Sequence, residues 1–171
     1  NIGQRYPHQV SGGQLQRAMT AMAMSSRPDL IIFDEPTTAL DVIVQDQILQ
    51  ELKSIQADLG MSIIYISHDI AVIAEVTDKI GVMYAGKLVE VAEAVPLYDR
   101  PLHPYTQGLL KSIPRLSDGK GGPLDAIPGM VPSPGNYPPG CRFHDRCPYA
   151  FERCKREMPE LTRIAADHQA A

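Results

Sequence analysis

Two adjacent carboxylates close a short apolar segment, LIIFDEP. Asp34 and Glu35 directly follow four apolar residues, 30–33. The apolar run predicts a buried strand, and in open α/β sheets ligands bind at the carboxyl ends of the strands. Side chains alternate along an extended chain, so one acid can hold Mg²⁺ while the other orients and polarises a water. The alternative is a plain strand followed by an acidic loop.

The segment SGGQ, residues 11–14, is a second candidate. Its glycines allow close backbone approach, Ser11 offers a hydroxyl, and the start of a predicted helix presents free N–H groups. Together these groups can bind a phosphate. The alternative is an ordinary Ser N-cap with a flexible Gly-Gly lead-in. The three residues SGG, considered alone, favour this alternative.

The segment ISHD, residues 66–69, places a histidine just after a second apolar strand. Parallel strands end at the same edge of a sheet, so we expect His68 to lie near Asp34 and Glu35. A lone histidine is usually structural. One beside two acids at a strand edge is a better candidate for contacting a phosphate.

The elements that must position these residues alternate between helix and strand across residues 1–112. The pattern predicts helices over 11–26, 42–60 and 69–76, and strands over 29–35, 62–67 and, around a turn at Ala85-Gly86, 79–91. Gly60 suits a helix C-cap. Strand, helix and strand with continuous apolar strands predict an α/β fold whose parallel sheet is covered on both faces.

Residues 113–171 are predicted to form a separate, irregular C-terminal extension. Pro and Gly are dense in residues 114–148, which therefore cannot sustain a helix or a central strand and predict an extended connector. Residues 148–169 have modest helical character, interrupted by Pro159.

The only three cysteines, Cys141, Cys147 and Cys154, fall in this extension. Their spacing fits a zinc site poorly, because zinc ligands are usually paired two to four residues apart. Iron–sulfur clusters accept looser spacing but need four thiolates. His144 and His168 are weak candidates for a substitute ligand. The alternative is that the thiols are simply buried or reduced.

Composition narrows the classes of function. The net charge is −4 and the sequence pI about 5.7, which argues against a broad nucleic-acid-binding face. No apolar run reaches the roughly 18 residues of a membrane span, and no signal peptide opens the sequence. A cytosolic setting with reduced thiols is therefore expected. Since the first residue is Asn and a dense motif follows at once, we expect an N-terminal part to be missing.

Four segments in register, SGGQ, LIIFDE, TALD (38–41) and ISHD, resemble the ATP-binding cassette (ABC) ATPase family over residues 6–92. The resemblance implies a partial P-loop NTPase-like sheet with flanking helices over 1–112. It also implies that SGGQ is the signature motif, which contacts the γ-phosphate of ATP bound to the opposite subunit. The implied signature residues are Ser11, Gly12, Gly13 and Gln14. Asp41 would belong to the D-loop, which communicates across a dimer.

The same resemblance implies the catalytic roles. Asp34 would hold Mg²⁺ through water, Glu35 would be the catalytic base, and His68 would be the switch histidine on the γ-phosphate. The sequence departs from the family by lacking GxxxxGK[ST] and the Q-loop glutamine. Phosphoryl transfer depends on positioning and charge neutralisation. We therefore predict that this fragment alone neither binds ATP tightly nor hydrolyses it.

Three further segments, YPHQVSGGQLQR, PLYDRPLHPYTQGLL and PGCRFHDRCPYAFERC, resemble the ATPase subunits of oligopeptide, dipeptide and related nickel importers. The resemblance implies a homo- or heterodimer of ATPase subunits bound to membrane permeases, with a solute-binding protein as an indirect partner and no nucleic acid. It implies a peripheral location on the cytoplasmic face of the plasma (inner) membrane. Some members carry a four-iron, four-sulfur cluster, and the fourth cysteine would then follow Ala171.

Two alternatives belong to other classes. One is a non-transport ABC-type ATPase, against which the acidic pI and the C-terminal blocks argue. The other is a non-catalytic interaction module whose one function is a metal-bearing tail. The transported solute is left open, because separate subunits would select it.

Overall fold

The structure is a computed structural model that describes residues 2–38, 40–113 and 126–171. The chain divides into two compact units, Asn1–Thr77 and Asp78–Ala171. The predicted boundary between residues 112 and 113 stays a prediction, since residues 114–125, the start of the predicted connector, lie outside the described residues.

The first unit has the predicted alternation of helices and strands. Its elements are α1 (Gly12–Met24), β1 (Leu30–Asp34), α2 (Val42–Leu59), β2 (Ser62–Ile66) and α3 (Ile70–Val76). β1 and β2 pair in parallel, with Asp34 opposite Ile66. Gly60 ends α2 with a φ of 65°, the left-handed conformation that glycine adopts without strain. A mixed α/β fold is confirmed.

The core of this unit covers only one face of the β1–β2 pair. The buried residues alternate on β1 and recur at helical spacing on α2: they are Ile31, Phe33, Ile48, Leu52 and Met61. The opposite face carries Ile32, which is 60% exposed, and Ile64, which is 48% exposed. The prediction of a sheet covered on both faces is therefore wrong for the described residues. Apolar runs indicate only that both faces are hydrophobic, and the described core, with residues of α1 and α2, lies on one of them.

The second unit is built on an antiparallel sheet. Its elements are β3 (Lys79–Tyr84), β4 (Lys87–Glu93), α4 (Ala94–Asp99), α5 (Pro104–Lys111), β5 (Thr162–Ala165) and β6 (His168–Ala170). The strand order is β3-β4-β6-β5. The predicted turn between the first two strands is confirmed. Ala85 and Gly86 both have positive φ, 47° and 77°, as a tight hairpin of matching twist requires.

The helical prediction for residues 148–169 is wrong. Beyond the 3-10 turn Glu152–Lys155, this segment runs extended past Pro159 and forms β5 and the start of β6. Pro159 has no N–H for a helix, and β6 gains backbone partners on both β4 and β5. Tertiary pairing therefore outweighs a marginal helical preference.

The cysteine-rich block, residues 141–154, packs against the β3–β4 hairpin through an aromatic cluster. Phe143 is 2% exposed, and its ring meets that of Tyr84 edge-on with centroids 5.1 Å apart. Arg146 donates hydrogen bonds to the carbonyls of Ile127 and Pro128, 2.9 and 2.8 Å away. The block and the described end of the connector are thus folded parts of this unit. No described helix is long and apolar enough to cross a membrane.

Candidate active site

The carboxyl edge of β1 and β2 gathers the acidic and histidine candidates. Asp34 is the last residue of β1, and its side chain is exposed. The Glu35 N–H donates to the carbonyl of Ile66 over 2.9 Å and so extends the parallel pairing by one step. Glu35 has a φ of 50°, which is uncommon for a residue other than glycine. Such conformations cost free energy and cluster at functional sites.

Glu35 and His68 are in direct contact at this edge. His68 Nδ1 lies 2.8 Å from Oε1 and 2.9 Å from Oε2 of the carboxylate. The backbone N–H of His68 also donates to Oε1, over 3.0 Å, and the Thr38 hydroxyl donates to Oε2, over 2.8 Å. Each carboxylate oxygen therefore has its own fixed donor and shares the imidazole.

This contact changes the protonation of both groups. The hydrogen bond from His68, followed by that from Thr38, lowers the pKa of Glu35 below its ordinary value. The same hydrogen bond, followed by the negative charge of Glu35, raises the pKa of His68. The pair is open to water: 78% of the His68 side chain and 36% of the Glu35 side chain are exposed. Either side chain can therefore exchange this contact for one with water or with a ligand bound at the edge.

The loop after Glu35 is held in place by a buried threonine that contacts β2. Thr37 is 6% exposed, and its hydroxyl lies 3.2 Å from the hydroxyl of Tyr65 on β2. Burial raises the pKa of Tyr65, so this phenol stays protonated. Phe33 packs near the same ring, with centroids 6.5 Å apart. Contacts of Tyr65 with Thr37 and Phe33 thus connect β1 and the following loop to β2, next to the exposed Glu35–His68 pair.

SGGQ forms the ordinary N-cap that the sequence left open as an alternative. The Gln14 N–H donates to the Ser11 hydroxyl over 3.3 Å, and the Ser11 N–H donates to the Gln14 side chain over 3.2 Å. A Cβ on Gly13 would lie 2.7 Å from Val44 Cγ1, and one on Gly12 would lie 3.1 Å from Leu40 Cδ2. The glycines therefore let α1 approach the start of α2. Phosphate contact by this segment stays a prediction.

Asp41 lies at the same junction. Its carboxylate caps α2 by accepting a hydrogen bond from the Val44 N–H over 2.9 Å. The predicted signature and D-loop residues therefore share the α1–α2 junction and are not in the Glu35–His68 cluster. What the structure brings together is Glu35, His68 and Thr38, with Asp34 one residue away.

The three cysteines do not form a metal site among the described residues, where no group of three or more His, Cys, Asp or Glu side chains could hold a metal ion. Cys141 and Cys147 pack against the Phe143 cluster, and burial, the largest influence, raises the pKa of Cys141. A half-buried thiol that stays protonated is a poor ligand, because the thiolate is the form that binds metals. The iron–sulfur cluster is therefore not confirmed.

The two substitute ligands are engaged elsewhere. His144 has Nδ1 2.8 Å from the carbonyl of Cys141 and Nε2 2.9 Å from a carboxylate oxygen of Asp145. His168 Nε2 lies 2.6 Å from Glu90. Both histidines therefore serve as hydrogen-bonding groups of the second unit, and their weak candidacy as ligands is not supported.

Two residues of interest escaped the sequence patterns. The sequence marks Thr38 only as part of the segment TALD. Its hydrogen bond to Glu35, three positions earlier, depends on the tight turn after Glu35. Glu90 lies within the strand prediction for 79–91 but was not itself a candidate, and it is 0% exposed. The available signal was its position in KLVEV between apolar neighbours. That pattern does not say which donors would satisfy a buried carboxylate.

Two family models match this sequence. Residues 1–38 match the model described as ABC transporter, and residues 89–154 match that described as oligopeptide/dipeptide transporter, C-terminal region. The oligopeptide transport ATP-binding protein AppD of Bacillus subtilis (strain 168) is 50% identical over 160 residues, covering 94% of this chain and 48% of that protein. The dipeptide transport ATP-binding protein DppD of Escherichia coli (strain K12) is 47% identical over 165 residues, covering 96% of this chain and 50% of that protein.

A solved structure supports the same relationship. It is cbiO1 from Clostridium perfringens, described as part of the ABC transporter complex cbiONQ. It matches 54% of this chain and 37% of its own, with 30% identity and a TM-score of 0.51. The chain spans about half the length of the curated relatives it matches. On these matches the chain belongs to the ABC transporter family, among the relatives of oligopeptide and dipeptide transport ATP-binding proteins.

Proposed function

We propose that this chain forms part of the ATP-hydrolysing subunit of an ABC importer for oligopeptides or dipeptides. The observation that carries the proposal is the contact between Glu35 and His68 at the carboxyl edge of β1 and β2, in a chain related to peptide transport ATP-binding proteins. A base held beside a phosphate-contacting histidine is what hydrolysis of a phosphoanhydride requires.

Glu35 is the proposed base. Its lowered pKa keeps the carboxylate ionised near neutral pH, ready to accept the proton of a water. As the water oxygen bonds to the γ-phosphorus, the bond to the ADP oxygen breaks and the water proton moves to the carboxylate. His68, whose pKa is raised, can carry a positive charge toward the γ-phosphate. For the base to face water, one of its contacts with the imidazole must open.

Asp34 is the proposed magnesium-binding residue. It is an exposed carboxylate at the end of β1, and carboxylate oxygens are the hard ligands that suit Mg²⁺. When bound, Mg²⁺ neutralises charge on the phosphates. The side chain needs no rearrangement of the core to meet a ligand.

The partners follow from the same proposal. SGGQ, with Asp41 at its junction, would face the nucleotide of a second ATPase subunit, so two subunits make two sites. Permease subunits would hold the pair at the cytoplasmic face of the membrane, and a solute-binding protein would deliver the cargo. Opening of the Ser11–Gln14 capping box would free a hydroxyl and an amide for the phosphate.

The test is ATP hydrolysis by the assembled transporter in vesicles. Glu35→Gln keeps the shape of the side chain but removes the base, so turnover should fall about 10²- to 10⁴-fold while ATP binding is retained. Asp58→Asn, at an exposed position on α2, is the matched control and should hydrolyse ATP at the normal rate. Normal turnover by Glu35→Gln would show that another group is the base.

A further inference from the structure

Two neighbouring threonines follow the candidate base and have different surroundings. Thr37 is buried and pairs with Tyr65 on β2. Thr38 is exposed, and its hydroxyl donates to Oε2 of Glu35 over 2.8 Å, while its N–H makes a longer bond, 3.3 Å, to the Glu35 carbonyl. Adjacent residues of one type thus divide between supporting the loop and contacting the carboxylate.

We propose that Thr38 is a positioning residue that fixes the orientation of the Glu35 carboxylate and holds it in place when His68 turns to the nucleotide. The inference rests on the proposed role of Glu35 as the base and deepens it.

The geometry shows what is left when the imidazole moves. The His68 ring is shared between both oxygens, so it alone cannot distinguish one carboxylate rotation from the other. The remaining donors are separate: the His68 N–H holds Oε1 and the Thr38 hydroxyl holds Oε2. The terminal torsion of a glutamate is broad, so one anchor on each oxygen is what defines the plane of the carboxylate. Without Thr38, Oε2 has no described donor besides the ring.

The first experiment compares Thr38→Val, Thr38→Ser and Thr37→Val in the assembled transporter. Thr38→Val should lower kcat roughly three- to tenfold, as expected for one lost hydrogen bond, with little change in the KM for ATP. Thr38→Ser restores the hydroxyl and should return kcat toward normal. Thr37→Val removes the buried bond to Tyr65 but keeps the bond to Glu35, and should lower kcat less than Thr38→Val does.

The second experiment does not depend on hydrolysis. ATP binding by Thr38→Val, Thr38→Ser and Thr37→Val should be retained, because the proposed role of Thr38 is to orient Glu35 for the chemical step. Circular dichroism checks that each variant is folded.

The outcomes separate the two proposals. An unchanged kcat in Thr38→Val, or no recovery in Thr38→Ser, overturns the role of Thr38 even where Glu35→Gln abolishes turnover. Normal turnover by Glu35→Gln overturns the role of Glu35 as the base, and with it the positioning role, whatever the threonine variants show.

Discussion

A glutamate meets a histidine in each unit, and the two pairs differ in their surroundings. Glu35 and His68 lie at the edge of the parallel strands, with most of the imidazole in water. Glu90 and His168 lie between β4 and β6, with side chains 0% and 9% exposed and 2.6 Å between Oε1 and Nε2. The contact distances are similar, so the difference lies in how easily each pair can exchange its partners.

The buried pair is satisfied from several elements at once. Glu90 Oε1 also accepts the Leu102 N–H over 2.7 Å, and Oε2 accepts the His103 N–H over 2.9 Å. Burial alone would raise the pKa of Glu90, but these hydrogen bonds, with the one from His168, outweigh it and lower the pKa. Such a network is costly to break and so suits a structural joint. The exposed pair can open readily, which suits a site that must respond to a ligand.

The largest expected effect comes from removing the buried carboxylate. Glu90→Ala would leave the Leu102 and His103 N–H groups and the His168 ring without their acceptor, and should lower the free energy of unfolding by about 3–5 kcal/mol. The chain has no Trp, so urea unfolding is best followed by circular dichroism. Glu93→Ala, at an exposed position on the same strand, is the control and should be close to neutral. Equal effects would show that burial does not distinguish the two acids.

The second prediction concerns the loss of stability at low pH. The pKa of Glu90 is lowered by folding, so its contribution to stability is present above its unfolded pKa and is lost as pH falls through the folded pKa. Glu90→Gln should be less stable at neutral pH and should lose less stability on acidification. Glu35→Gln, at the exposed pair, should keep most of the normal acid dependence. Unfolding midpoints measured from neutral pH downward test this, and a normal acid response in Glu90→Gln would contradict it.

A smaller effect is expected in the titration of the exposed pair. Glu35 raises the pKa of His68, so the imidazolium should persist to higher pH than in a free histidine. Glu35→Gln should bring the pKa of His68 back toward its ordinary value, which NMR of the ring protons can follow. Glu75→Gln, an acid on α3, is the control. If the pKa of His68 did not move in Glu35→Gln, the contact in the structure would not persist in solution.

The smallest expected effect is that of His68→Ala on stability, and it tests the difference between the exposed and the buried pair directly. His68→Ala should leave the midpoint of urea unfolding unchanged, because exposed ion pairs contribute little to stability. His168→Ala, which removes the matching histidine of the buried pair, should lower it clearly. A comparable loss of stability in both variants would mean that the exposed pair is also a structural joint.

The local elements of the first unit could be predicted because the signals are local. The apolar spacing of α2 and its Gly60 C-cap lie in the residues themselves, as does the apolar run of β1. The proximity of His68 to Glu35 followed from one rule, that parallel strands end at the same edge. The left-handed conformation of Glu35 and its bond to Thr38 could not be predicted, since they depend on how the turn closes.

The second unit was harder to predict because its decisive contacts are distant in sequence. The β3–β4 hairpin was predictable from its turn. β6 is short and carries no apolar alternation, and it becomes a strand because β4 offers it partners. The burial of Glu90 depends on the same pairing. The roles of the site residues in ATP hydrolysis stay predictions.

The position of β6 between β4 and β5 has a consequence for biosynthesis. Glu90 and its histidine are 78 residues apart, so β4 leaves the ribosome well before the strand that pairs with it. At translation rates of about 5–20 residues per second, that interval is on the order of 4–16 s. During it, β4 offers an unpaired edge and a carboxylate without its imidazole, a surface prone to aggregation. Nascent chains stalled between these strands should therefore be the species that chaperones bind most.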